Sequence, residues 1–136
     1  MLNYLMAILS LVLIVGSDNR AVLAAVDCNN AVTQADMNRC ASLAFGLIDD
    51  ELNTAYKKIT AGLESSELEL LKHSQRAWIK FRDAECEFQS SFTRGGSVRP
   101  LVHANCLTDI TNQRVKDLQF YLTCPEGDLA CPRLGP

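Results

Sequence analysis

Much of what a chain of this length could carry is missing here. No Gly-x-Ser-x-Gly elbow is present to expose a serine nucleophile. No Cys-x-x-Cys pair occurs, and the two histidines, His73 and His103, stand far apart, so neither a metal site nor a redox dithiol has its usual spacing and no cofactor is implied. Basic residues are not in excess: 13 Lys and Arg against 16 Asp and Glu give a formal net charge of −3, which is no footprint for nucleic acid. Internal repeats and low-complexity segments are lacking. Leu2 to Val15 is a long apolar run, but Asp18 and Arg20 break its continuation short of the roughly 20 residues a membrane span needs.

That opening run is short, is followed by polar Gly16 to Arg20, and reaches Val22-Leu23-Ala24 with small residues where a signal peptidase needs them. Residues 1–24 are therefore expected to be an export signal cleaved before Ala25, leaving 112 residues and no stable membrane span. Only the amino terminus supplies positive charge ahead of the run. All six cysteines, Cys28, Cys40, Cys86, Cys106, Cys124 and Cys131, lie beyond the cleavage point. An even count in a short exported chain implies disulfides and an oxidising compartment, periplasmic or secreted. Ala25-Val26-Asp27 before Cys28 is no lipobox, so a lipid anchor is not expected.

The rest reads as helices around Gln75 to Cys86, which holds the single Trp. Ser66 and Glu69 have capping-box spacing before an apolar-periodic run, and this second helix is expected to extend to about Arg94, where Gly95-Gly96-Ser97 breaks it. Its inward stripe is Leu71, Gln75, Trp78, Arg82 and Cys86, widened by Leu70, Ala77, Phe81, Ala84 and Phe88. The first helix runs from Thr33, a candidate N-cap, to Gly62, with Met37, Cys40, Ala41, Ala44, Ile48, Leu52, Ala55 and Ile59 inward. Gly46 within it hints at close backbone packing. Pro100 suits the first turn of a third helix carrying Cys106, Leu107, Ile110, Arg114, Leu118 and Tyr121. Short connections make this an all-α antiparallel three-helix bundle stapled by disulfides, with a domain over residues 25–122. Residues 123–136 form a tail whose Cys124 and Cys131 are close enough to close a small loop.

Counting residues outward from each turn compares heights in the bundle. Asn53 meets Gln75, Trp78 meets Arg114, and Asp49 falls within reach of Arg82, so Asp49, Asn53, Gln75, Arg82 and Arg114 form a polar layer that can fix helix register. Cys40, Cys86 and Cys106 share another level, with Cys40 and Cys86 offset by about 3 Å at 1.5 Å per residue. Counting does not choose between Cys40–Cys86 with Cys28–Cys106 and Cys28–Cys86 with Cys40–Cys106, though the first is slightly preferred.

Three tightly packed helices offer no cleft for a catalytic acid or base, and six paired cysteines leave no thiolate. Asp49-Asp50-Glu51 reads as a solvated face with Asp49 turned inward. The stretch Arg94-Gly95-Gly96-Ser97-Val98-Arg99 is either a plain interhelical turn or a mobile basic loop that enters a partner's cleft.

Several of these positions make up one pattern. It comprises Cys28 and Cys40 flanking Thr33-Gln34 and Met37-Asn38, then Asp49, Leu52-Asn53 and Tyr56, then Gln75-Arg76-Ala77-Trp78-Ile79 with Phe81-Arg82-Asp83 and Cys86. Gly95-Gly96-Ser97, Cys106, Thr111, Arg114 and Leu118 complete it. Over about Cys28 to Leu122 the chain resembles the N-terminal domain of the lysozyme inhibitor LprI-like proteins, small exported bacterial proteins. It departs from the namesake type in lacking a lipoprotein cysteine, and the Cys124 to Cys131 tail falls outside the pattern. The resemblance implies an all-helical, disulfide-linked envelope protein and lysozyme inhibition for at least some members; it does not imply inhibition here. The expected function is a non-enzymatic binding protein of the bacterial cell envelope with a protein partner, the candidate activity being inhibition of a lysozyme or another wall hydrolase. The alternative is a structural or assembly module that binds another envelope protein. For the inhibitor the expected binding residues are Arg94, Gly95, Gly96, Ser97 and Arg99.

Overall fold

In this computed structural model, which describes residues 26–125 and 127–135, the chain folds as three helices: α1 (Gln34–Gly62), α2 (Ser65–Ser91) and α3 (Arg99–Thr123). The expected signal at residues 1–24 lies outside the described residues. The cap of α1 is reciprocal: Thr33 Oγ1 accepts from the Asp36 amide at 3.1 Å and donates to the Asp36 carboxylate at 2.6 Å. The start of α2 corrects the expected capping box. Glu64 is the N-cap and makes no side-chain bond, and Ser66, already inside the first turn, donates to Glu67 at 2.6 Å. That hydroxyl holds the Glu67 carboxyl below its usual range, while Glu69 pairs with Lys72 at 2.7 Å. The far end of α2 also falls short of Arg94. After Ser91 the chain tightens into three-residue turns, with the Thr93 and Arg94 amides bonded to the carbonyls of Ser90 and Ser91 at 3.1 and 3.2 Å.

Asn38, near the start of α1, donates to the Ser97 carbonyl ahead of α3, and the Gly135 amide beyond α3 donates to Gly62 at the end of α1. So α1 and α3 run parallel and α2 opposes both. α3, rather than α2, is the central element: it lies close along α1 and also packs on α2, whereas the α1 and α2 backbones stay apart. The apolar core is accordingly an α1–α3 product, built from Leu52, Ala55 and Ile59 against Val115 and Leu118. Ala44 is exposed, while Ala104 and Thr111 are buried on α3.

Because α2 touches the bundle along one narrow stripe, only part of its expected inward face is inside. Gln75, Arg82 and Cys86 are buried and Trp78 is half-buried, but Leu70, Phe81 and Phe88 are 72, 58 and 61% exposed, with Ala77 and Ala84 also in water. Gly46 has no close neighbour either: a Cβ there would meet nothing within 4 Å. The glycine that matters for packing is Gly62, where a Cβ would come within 3.1 Å of the Leu134 Cβ as the tail folds back onto the core.

The disulfides are Cys28–Cys40, Cys86–Cys106 and Cys124–Cys131. Both pairings weighed for the first four cysteines are therefore corrected. Counting levels does not fix direction around the helix, and Cys40 lies about 180° round α1 from Asp49, the residue that reaches α2 through Arg82. The Asp27 carboxylate accepts from the Asn29 amide at 3.0 Å and the Asn30 side chain at 2.6 Å, shaping the turn that brings Cys28 back to Cys40. In the chain-entropy account the two longer closures contribute about 3 kcal/mol each.

Candidate functional site

Where α1 and α2 diverge, long polar side chains bridge them. Arg82 Nη1 lies 3.3 Å from Asp49 and Nη2 lies 2.9 Å from Asp83, with the guanidinium reaching the Thr111 hydroxyl at 3.5 Å, the limit of a hydrogen bond. Its carbon stands 5.1 Å from the centre of the Trp78 ring and 5.4 Å from that of Phe45. Arg114 approaches the Trp78 ring at 6.0 Å and donates to Gln75 at 3.1 Å. The indole thus takes two cations, an arrangement in which ring quadrupole and carboxylates replace lost hydration. Asn53 does not reach Gln75. It is exposed and donates to Asp49 at 3.2 Å, one turn back on its own helix.

The layer is not sealed inside. Asp49, Asn53, Tyr56, Gln75, Arg76 and Arg82 line an open cleft of about 460 Å³ between α1 and α2, which corrects the expectation that the bundle has none. Asp49 is 38% exposed, so its attraction to Arg82 is screened by water on one side. Every charged group of the layer has a partner, which suits holding helices in register.

The second feature is the α2–α3 connection. Gly95 has φ +82°, a left-handed conformation that a side chain would strain, and it turns the chain between Arg94 and Gly96. The Gly96 amide bonds to Thr93, the Arg99 amide to Gly96, and Asn38 holds Ser97 from behind at 3.0 Å. Arg99 is largely taken up by the fold: it pairs with Glu87 at 2.6 Å and its Nε is buried without a partner. Arg94 has no ion pair among the described residues. The five expected binding residues are thus together at one end of the bundle, but Arg94 is their free cation. Asn38 and Thr111 entered the sequence reading only as parts of a family pattern; the one anchors the loop and the other receives Arg82.

A small helical domain stapled by disulfides defines a class of proteins from oxidising compartments. The chain belongs to the family described as Lysozyme inhibitor LprI, whose model matches residues 27–118. It is 35% identical over 114 residues to an uncharacterized protein of Rhizobium meliloti (strain 1021), covering 74% of this chain and 82% of the relative. It is 32% identical over 118 residues to the uncharacterized protein YecT of Escherichia coli (strain K12), covering 70% and 71%. No solved structure matches the chain. The family is non-enzymatic and its members are periplasmic or secreted, which gives this chain the same standing. No described helix is long and apolar enough to cross a membrane.

Proposed function

We propose that this protein inhibits a lysozyme or another cell-wall hydrolase, presenting the Arg94 to Arg99 loop to the enzyme's cleft after residues 1–24 have been removed on export. The observation that carries the reading is the loop itself, held from behind by Asn38 with Arg94 and Ser97 left exposed. A loop already fixed in shape loses little conformational freedom when it binds. The family description supplies the class of target.

A lysozyme cleft works with paired carboxylates. Arg94 can pair with one of them, Ser97 can donate to it, and the bare backbone at Gly95 and Gly96 permits close approach. Arg99, committed to Glu87, positions the loop more than it contacts the target. The chain's net charge of −3 favours encounter with a basic lysozyme without specifying it.

The test is inhibition of several lysozymes by the wild type and by an Arg94→Ala, Ser97→Ala, Arg99→Ala triple variant of unchanged helicity. The wild type is expected to inhibit at least one enzyme and the variant to lose about 30-fold or more, the size of a hot-spot truncation. Undiminished inhibition by the variant overturns the loop's role. No inhibition by the wild type overturns the inhibitor reading in favour of an assembly module.

A further inference from the structure

The side of α2 turned to water carries a regular stripe whose centre, Ala77 to Phe88, is exposed, while at its ends Ser74 accepts from Arg114 at 3.5 Å and Ser91 is half-buried. Ser74, Ala77, Phe81, Ala84, Phe88 and Ser91 recur at alternating spacings of three and four, the repeat of a helix-packing seam, and Leu70 and Phe92 extend it at either end. Phe81, Phe88, Phe92 and Leu70 are 58, 61, 78 and 72% exposed, and Phe88 and Phe92 already pack edge to face at 5.3 Å. At about 200 Å² per aromatic residue, these four leave on the order of 500 Å² of apolar side chain in water. A stable interface takes about 800 Å² from each partner. The stripe therefore supplies an apolar centre that its polar flanks complete as a rim.

The occupant is written in the order of the residues. Turned end for end about the point between Arg82 and Asp83, the stripe sets Phe81 against Ala84, Phe88 against Ala77 and Ser74 against Ser91. Each central aromatic meets an alanine, so large fills small in the central layers, and serine meets serine at the ends. A second copy facing itself in a parallel sense sets phenylalanine on phenylalanine and alanine on alanine, and lacks this fit. The same end-for-end operation brings Lys80, on the flank, within two residues, about 3 Å along the axis, of Glu87 on the other copy, whose Oε1 takes Arg99 of its own chain and whose carboxylate would be shared with Lys80, once on each side of the dyad. We propose that two copies of this chain associate through the outer face of α2, helix antiparallel to helix, in an isologous dimer. The two Arg94 to Arg99 loops then lie at opposite ends, so the dimer leaves both free and does not depend on which target the loop meets.

Analytical ultracentrifugation of the full chain tests this. The wild type is expected to show a concentration-dependent dimer in the micromolar range. A Phe81→Glu, Phe88→Glu variant is expected to be monomeric throughout with unchanged helicity, since both residues lie outside the core. Lys80→Glu should weaken the dimer by about tenfold through two lost exposed pairs. A spin label on a cysteine placed at Ser91 should report a separation of about 26 Å between copies at 1.5 Å per residue. A wild type that stays monomeric overturns the proposal, whether or not the stripe captures a different envelope protein. A dimer that survives the double glutamate variant overturns the interface, and Ser91 labels in near contact overturn the antiparallel order.

Discussion

The two faces of α2 reverse the order usual in a globular protein. Its inner face carries Gln75, Arg82 and Cys86, and its outer face carries Leu70, Phe81 and Phe88. Across the bundle the α1–α3 contact is conventional, with Leu52, Ala55 and Ile59 closed against Val115 and Leu118. The difference lies in how each helix is held. α3 is fixed to α1 by burial of apolar area, whereas α2 adds only the half-buried Leu71 and Trp78 to the edge of that core and is fixed chiefly by directed bonds: a disulfide to α3, Gln75 to Arg114, and Arg82 to Asp49. Apolar residues on α2 are therefore free to face outward, where they serve association rather than folding.

The largest expected effect breaks the conventional side. Leu118→Ala, at a fully buried position, should destabilise by about 3 to 4 kcal/mol in urea unfolding, while Leu70→Ala should stay within about 0.5 kcal/mol of wild type. Next comes the staple of α2: a Cys86→Ser, Cys106→Ser variant should lose about 3 kcal/mol, with α2 amides losing hydrogen-exchange protection before those of α1 and α3. Asp49→Ala should cost no more than about 1 kcal/mol, because water reaches Asp49 and Arg82 keeps Asp83. A fully buried pair would cost about 3 to 5 kcal/mol, so a double-mutant cycle of Asp49→Ala with Arg82→Leu decides between them. Gly46→Ala should raise the unfolding midpoint, worth about 1 kcal/mol of helix propensity, and Gly62→Ala should lower it by crowding Leu134.

The smallest effect is with pH. Asp27 has its carboxyl lowered from 3.8 by hydrogen bonds from the Asn30 side chain and the Asn29 amide. A carboxyl lowered on folding adds stability above its unfolded value and loses it as pH falls through the folded one. Asp27→Asn should flatten that part of an acid titration followed by circular dichroism.

Helix number, order and the α1 boundaries were legible because caps, glycines and Pro100 act locally. Some heights were legible too, since Arg82 does lie near Asp49 and Trp78 near Arg114. Direction around the helix was not. Counting set Cys40 level with Cys86, but it bonds Cys28, and Phe81 follows the apolar period of an inward stripe while facing water. Periodicity states which residues share a face, and the neighbouring helices decide whether that face is covered. In the loop, the glycines and arginines were visible in the sequence, but the capture of Arg99 by Glu87 depends on the last turns of α2 and the first of α3 meeting in space.

Phe81 and Arg82 are adjacent, and replacing each singly by alanine puts the inversion of α2 to its most direct test. Unfolding free energy would be measured by denaturant at a concentration where the chain is monomeric. Arg82→Ala is expected to cost about 2 kcal/mol through lost ring contacts, ion pairs and the Thr111 hydroxyl left unpaired. Phe81→Ala is expected to cost less than about 0.5 kcal/mol. A Phe81→Ala loss as large as that of a buried aromatic, about 3 kcal/mol or more, with Arg82→Ala near zero, would contradict the account.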